Sequence, residues 1–251
     1  LPRRLGQHFL IRGATLERIA AAVCPQAEPL VIEIGPGKGA LTERLLRRAE
    51  RVVAIELDSA LVERLSQKFA GDARLSVVHA DVLDIDLAQW GPSAVAGNLP
   101  YYITSPILER VAAAAHAIRR GVFLVQKEVA RRIAAGPGHR DYGYLSVHMQ
   151  LIFAVEYLQD VPPRAFEPPP RVDSAVIRLT PHDLAGSLGI PDLSAFLRFA
   201  GLCFHQKRKT LRNNLARAYP RNAVDAMPEA KLRAEQLSVE QFAQLYRRLV
   251  P

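Results

Sequence analysis

"LVIEIGPGKGALTERLL", residues 30–46, decides the fold. A short run of branched apolar residues meets Gly35, Gly37 and Gly39, then a segment with Leu41, Leu45 and Ala49 at helical spacing. A strand that enters a glycine turn and leaves as a helix is half of a βαβ unit. Gly35, Gly37 and Ala40 fit a loose G-x-G-x-x-G/A spacing, in which glycine allows a tight turn and close approach of a ligand to the backbone. Glu56 ends the next predicted strand about 20 residues further on, where a carboxylate can accept from ribose hydroxyls. A nucleoside-bearing cofactor is the reading; a purely structural turn is the alternative.

The same rhythm continues outward. "RVVAIEL" (51–57), "RLSVVHA" (74–80), "AVAG" (94–97) and "GVFLVQ" (121–126) read as strands. "SALVERLSQKF", "ILERVAAAAHAI" and "KEVARRIAA" read as the helices between and after them. Ser105 followed by Pro106 reads as an N-cap and first helical position. The expected class is α/β, a doubly wound, Rossmann-like sheet. "VPPRAFEPPPRVD" (161–173) holds five of the chain's 18 prolines and must be extended. "SAVIRLT" (174–180) then returns as a hairpin strand of a mixed sheet. After "PHDLAG" the pattern is helical, through "LSAFLRFAGLCF", "KTLRNNLARA", "EAKLRAEQL" and "VEQFAQLYRRL". A boundary near residue 182 divides a catalytic domain, 1–182, from a small helical domain, 183–251.

The bulk numbers exclude several classes. The chain has 251 residues, 49% of them apolar, enough for a sizeable core. No apolar run approaches the roughly 18 residues of a membrane span, and "LPRRLGQHFL" lacks a signal-like apolar stretch, so a cytoplasmic protein is expected. Cys24 and Cys203 are the only cysteines, which argues against a disulfide framework or a zinc site. The formal charge is +8, with Lys and Arg clustered at 47–51, 119–120, 127–132 and 207–212. A polyanionic partner fits this charge; a basic enzyme with solvated Arg-rich helix faces fits it too.

The acids refine the cofactor. Glu33 lies two residues before Gly35, and a carboxylate there opposes a pyrophosphate on the helix N-terminus. A cationic cofactor suits it, and S-adenosylmethionine carries a sulfonium, an ammonium and a ribose diol but no phosphate. Asp81, after the third predicted strand, has two readings: acceptor for the adenine exocyclic amine, or cap of the "VLDIDL" turn.

One loop is unusual. "GNLPYYITSP" (97–106) supplies an amide, a rigid Pro and two aromatic rings where Gly, Asp or Ser would suffice for turning. Such an inventory suits gripping a planar, hydrogen-bonding object.

Taken together, "GQHFL", "VIEIGPGKGALTERLL", "VVAIELD", "HADVL", "GNLPYYITSPIL", "FLVQKEVARRI", "FEPPPRVDSAVIRL" and "FHQKRKTLRNNL" closely resemble the ribosomal RNA adenine dimethyltransferases. The likeness is greatest to the bacterial small-subunit (16S) type, and it runs from about residue 3 to residue 245, including "RAEQLSVEQF". It implies dimethylation of the N6 amines of two adjacent adenosines in a hairpin loop near the 3′ end of 16S rRNA. The implied partner is the small subunit or its precursor, met during ribosome biogenesis. No metal and no membrane are implied, and a monomer is expected.

The chemistry gives "GNLPYY" a reason. The N6 lone pair is delocalised into the ring, so the amine is a poor nucleophile. The Asn98 side-chain carbonyl accepts one N–H, and the backbone carbonyl of Leu99 or Pro100 accepts the other. The nitrogen is thereby held pyramidal for in-line transfer. An unstacked base needs aromatic support. Tyr101 is the first ring and Phe166 the candidate second, with a core-packed loop anchor as the other reading of Phe166. Tyr102 reads as packing or a rim contact.

The resemblance carries over His8, Leu10, Gly35, Glu56, Asp81 and Asn98 as cofactor contacts, beside Glu33 and Gly37. Many relatives carry Asn at the position of His8, which puts a side-chain role there in doubt and leaves a backbone role intact. Gln126, Lys127, Glu128 and Arg131 border the expected RNA entrance. Lys207, Arg208, Lys209 and Arg212 are expected phosphate contacts, against the reading of a solvated helix start.

Other functions fit less well. A large-subunit rRNA methyltransferase shares the cofactor loop but has a different last domain. DNA adenine and protein glutamine methyltransferases usually place Pro at the position of Leu99. A zinc deaminase needs a His/Cys/Cys cluster, and an NAD dehydrogenase gives no reason for "NLPY". An assembly factor that binds without turnover is the reading from another class.

Overall fold

The structure is a computed structural model describing residues 8–250. Gly6 and Gln7 of the "GQHFL" segment lie outside the described residues.

Among the described residues nine strands are formed: β1 (Phe9–Leu10), β2 (Glu28–Ile34), β3 (Ala49–Glu56), β4 (Leu75–His79), β5 (Ser93–Asn98), β6 (Ile118–Gln126), β7 (Phe153–Val161), β8 (Phe166–Glu167) and β9 (Ser174–Pro181). Seven make one sheet in the order β4-β3-β2-β5-β6-β9-β7, and β1 pairs with β8 in a separate antiparallel ribbon. β4, β3, β2, β5 and β6 are parallel, while β9 returns antiparallel to β6. The mixed, doubly wound sheet expected from the sequence is the observed one. Strand order reverses between β2 and β5, the place where open α/β sheets open a crevice beyond their carboxyl ends.

The central strands are near-continuous apolar runs because both faces are covered. Val31, Val52, Ala94, Ala96, Val122, Leu124 and Val176 face a core shared with Leu16, Ile19, Ala20 and Val23. Those four come from α1 (Gly13–Val23). The alternate positions Ile32, Val53, Val95, Phe123 and Ile177 are equally buried. The helices between strands are α2 (Thr42–Leu45), α3 (Ser59–Lys68), α4 (Thr104–Ala113) and α5 (Lys127–Ala134). Two local expectations differ. α2 is a single turn rather than a helix through residue 49, because turns flank it on both sides. α4 begins at Thr104, so Pro106 is its third residue, still within the turn whose N–H groups lack intrahelical partners.

The chain divides into two compact units: Leu1–Ala130 with Val155–Pro181, and Arg131–Ala154 with His182–Pro251. A division at residue 182 alone leaves Arg131–Ala154 in the first unit. The structure groups them with the second, because α6 (Tyr144–Ile152) contributes buried residues to the helical core. The helices of the second unit continue with α7 (Leu184–Ser187), α8 (Leu193–Cys203), α9 (Leu211–Leu215), α10 (Arg221–Asp225) and α11 (Val239–Leu249). α8 and α11 meet through Phe196 and Phe199 against Tyr246, edge to face. "EAKLRAEQL" is two short 3-10 turns, Pro228–Lys231 and Ala234–Gln236, rather than a helix. Burial pushes the Cys24 thiol up to about 11 and raises the Cys203 thiol as well, so both behave as core residues.

Candidate active site

The sequence acids gather at the carboxyl edge of the parallel strands. Glu33 is the penultimate residue of β2, Glu56 ends β3, Asp81 follows β4, and Asn98 ends β5. Two adjoining cavities open there. The first is lined by His8, Phe9, Leu10, Glu33, Gly37 and Asn98, among others. The second is lined by Leu57, Asp81, Val82, Tyr102, Ile103 and Ile107, among others. Gly35, Glu56 and Pro100 border both, so an elongated ligand crossing from one to the other passes Glu56.

Glu56 is already organised. One carboxylate oxygen accepts from Gly37 N at 3.1 Å, and the other from Leu57 N and Asp58 N at 3.0 Å each. It therefore staples the glycine turn to the end of β3. Gly37 sits at φ +57°, and a Cβ there would meet the Phe9 ring at 3.0 Å. Only glycine satisfies both constraints.

Glu33 is 1% exposed, and its carboxylate accepts from Thr42 Oγ1 at 2.6 Å. Burial pushes its pKa up to about 7; the Thr42 hydroxyl works against that, and the Glu56 charge adds to it. Asp81 does cap its turn, accepting from Leu83 N at 2.9 Å, and it also lines the second cavity. The two readings of Asp81 are thus compatible, since one oxygen caps.

The "GNLPYY" turn extends the sheet. Leu99 N donates to Leu124 O at 3.0 Å, and the Leu99 side chain is 1% exposed. At Gly97 a Cβ would lie 2.7 Å from Ile34 O, which is why the turn begins with glycine. Asn98 Nδ2 donates to His8 O at 2.8 Å, leaving Oδ1 as the free acceptor of the amide. The Pro100 carbonyl accepts from Ile103 N at 3.2 Å and from Thr104 Oγ1 at 3.0 Å. Of the two backbone acceptors considered, Leu99 O is therefore the better placed for a ligand. Tyr101 lines the first cavity, with its hydroxyl hydrogen-bonded to Ser174 Oγ.

Phe166 lines neither of the two cavities. It is 3% exposed, belongs to the apolar core, and pairs through its backbone with Leu10. The core offers its ring a fully apolar environment, so the loop-anchor reading holds. The ring beside Tyr101 is that of His8, 5.7 Å away between centroids. Tyr102 is 59% exposed at the rim of the second cavity.

Sequence reasoning missed Phe9, Thr42 and Ser174. Phe9 lies over the glycine turn with Lys38 Nζ 4.5 Å from its ring centroid. Its signal was its place between His8 and Leu10.

The basic residues are less uniform than their sequence suggested. Lys127 is ion-paired with Asp160, and Arg212 with Asp225 at 2.6 Å. Lys207 donates to the backbone carbonyl of Arg140. Arg131, Arg208 and Lys209 are exposed. Among the described residues no helix is long and apolar enough to cross a membrane. Among them also, no group of three or more His, Cys, Asp or Glu could hold a metal ion.

The chain is 48% identical over 256 residues to the "Ribosomal RNA small subunit methyltransferase A" of Acidobacterium capsulatum, covering 98% of this chain and 90% of that one. A dimethyladenosine transferase from Plasmodium falciparum superposes with a TM-score of 0.82 at 25% identity, covering 96% of each chain. The 23S rRNA methyltransferase ErmE superposes with a TM-score of 0.74 at 31% identity, over 97% of this chain and 100% of that one. Residues 2–250 match the family described as ribosomal RNA adenine dimethylase, and the chain belongs to that family.

Proposed function

We propose that this protein transfers methyl groups from S-adenosylmethionine to the N6 amines of two adjacent adenosines in a hairpin loop near the 3′ end of small-subunit (16S) rRNA. The substrate is the small subunit or its precursor in the cytoplasm. The observation that carries the reading is the juxtaposition of Asn98 with Glu33, Glu56 and Asp81 around two adjoining cavities.

The residues fit this cofactor. Three carboxylates line the cavities, a donor-accepting, cation-favouring set that suits a ribose diol, an amine and an ammonium and opposes phosphates. Asp81 with Val82, Ile103 and Ile107 forms a largely apolar slot matched to adenine, with Glu56 at the border that the two cavities share. Glu56 is placed for the ribose, and Glu33 faces the cavity lined by His8, Leu10 and Gly37. When bound, S-adenosylmethionine supplies an electrophilic methyl group on a sulfonium.

The chain's own part is positioning. Asn98 Oδ1 and Leu99 O accept the two N–H bonds of the target amine, which localises its lone pair. The Tyr101 ring supports the unstacked base, and the Ser174 hydroxyl fixes the ring's tilt. Fixed acceptors of this kind need no reorganisation in the transition state. Lys127, Arg131, Arg208, Lys209 and Arg212 are proposed as RNA contacts, with Lys127 and Arg212 exchanging Asp160 and Asp225 for phosphate.

The likeness to ErmE favours a second reading, a large-subunit substrate. The test is transfer of labelled methyl to small subunits that lack this modification, with identification of the product nucleoside. Dimethyladenosine in the small-subunit loop is expected. Preferential labelling of free large-subunit RNA would overturn the substrate assignment.

A further inference from the structure

The segment "GPGHRDYG" (136–143) has no part in the reading above. It is nonetheless a built loop. Gly138 N donates to Glu235 O at 2.7 Å, and Tyr142 N to His139 O at 3.0 Å. Tyr142 is fully buried and packs edge-on against Phe204, with centroids 6.2 Å apart. Phe204 immediately precedes the basic run "HQKRK" (205–209). A second tie comes from that run, where the Lys207 ammonium donates to the backbone carbonyl of Arg140. The loop and the run are therefore pinned to each other at two points, both within the second unit.

The consequence lies in the exposed side chains. The Arg140 side chain is 87% exposed, with its backbone fixed and only a long contact to Asp141, 3.6 Å from Nε. His205, Arg208 and Lys209 are exposed on the neighbouring run. A guanidinium held out on an ordered loop, beside two further cations, has the geometry for bidentate contact with a phosphate. A folded protein gains little by holding such a group in water.

We propose that Arg140 is an RNA-phosphate contact, and that Lys207 is a positioning residue that holds the Arg140 loop against the basic run. This rests on the reading that rRNA is the substrate. It reassigns Lys207, whose ammonium spends one of its three donors on a carbonyl, and it adds the 136–143 loop to the RNA-facing surface.

The experiment is equilibrium binding of the full chain to small-subunit RNA across a salt series, for wild type, Arg140→Ala, Arg140→Glu, Lys207→Met and the Arg140→Ala/Lys207→Met double variant. Each lost phosphate contact lowers the slope of log affinity against log salt by roughly 0.7–0.9. Arg140→Ala is expected to lower it by about that much and to weaken binding several-fold at moderate salt. Arg140→Glu should weaken it further. Lys207→Met should resemble Arg140→Ala, and the double variant should be little worse than either single one. Melting temperature and cofactor affinity of the two Arg140 single variants should not move, since the Arg140 side chain is on the surface. An unchanged slope for Arg140→Ala and Arg140→Glu would overturn the contact. Additive losses in the double variant would overturn the positioning role and make Lys207 a contact in its own right. A wild type with no salt-dependent RNA binding would instead overturn the rRNA reading itself.

Discussion

The side-chain amide of Asn98 donates to the backbone carbonyl of His8 at 2.8 Å, joining residues 90 apart in sequence. This single bond decides which way the amide points. A carbonyl cannot donate, so the amide nitrogen must face His8, which leaves the oxygen as the acceptor not used by that bond. The residue before β1 thereby sets the orientation of the Asn98 amide.

Replacing that acceptor should be severe. Asn98→Ala is expected to lower the methyl-transfer rate by roughly 10²–10³, the usual cost of losing one preorganised hydrogen-bonding partner. Asn98→Asp should be similarly impaired, because a carboxylate cannot donate to His8 O. Single-turnover label transfer checks both. Near-normal Asn98→Asp would show that the His8 bond does not orient the group.

Tyr101 separates ring from hydroxyl. Tyr101→Phe keeps the ring and loses only the bond to Ser174, so a fall in kcat/KM of less than about tenfold is expected, in line with one neutral hydrogen bond. Tyr101→Ala also loses base stacking, worth about 1–3 kcal/mol, and should fall further by one to two orders of magnitude. Equal losses in the two variants would place the value of Tyr101 in the Ser174 bond.

Glu33 gives a pH signature. Its folded-state pKa is pushed up to about 7 by burial, so the ligand-free protein holds it largely protonated below that pH. Burial of the neutral acid is tolerated at low pH, and that contribution to stability is lost as pH rises through about 7. A cationic ligand favours the carboxylate, so binding S-adenosylmethionine should release a proton. Affinity should rise between pH 5.5 and about 7, then flatten. Glu33→Gln should weaken binding and flatten the profile. Calorimetry in buffers of different ionisation enthalpy measures the proton directly; no release would mean that Glu33 does not meet the positive charge.

Gly97→Ala tests the approach of strand to strand. The new Cβ would stand 2.7 Å from Ile34 O, so the backbone must shift. A destabilisation of about 1–3 kcal/mol is expected from such overpacking, with loss of activity from displacement of the adjacent Asn98. Thermal or denaturant unfolding reads the first effect. An unchanged melting temperature would show that β5 yields there at little cost.

Much of this was legible in the sequence for physical reasons. Buried parallel strands must be apolar, and glycines must stand where the chain turns at positive φ, so residues 30–46 identify β2 and its turn. Glu33, Glu56, Asp81 and Asn98 were legible because polar groups that end apolar strands stand at one sheet edge. The two readings of Phe166 could not be separated in sequence because a ring in a Pro-rich segment can face either way, and its place depends on the β1–β8 pairing between residues about 156 apart. Phe9 and Thr42 went unread for a related reason, since each acts on a group its neighbours in sequence do not reveal. The second unit was harder again. Its first short turn, Pro228–Lys231, packs against α9 and α10, and α6 reaches the unit from outside the expected boundary.

The engagement of the Pro100 carbonyl by Ile103 and Thr104 has a stoichiometric consequence. With Pro100 occupied, the proposed arrangement gives an adenine amine two acceptors, Asn98 Oδ1 and Leu99 O, one for each hydrogen. After the first transfer only one hydrogen remains. The second transfer must then proceed with one acceptor idle or facing the newly added methyl. A swing of Asn98 to follow it would break the bond of its nitrogen to His8 O. The monomethylated base is thus the less well held of the two substrates, and the second step should be the slower one.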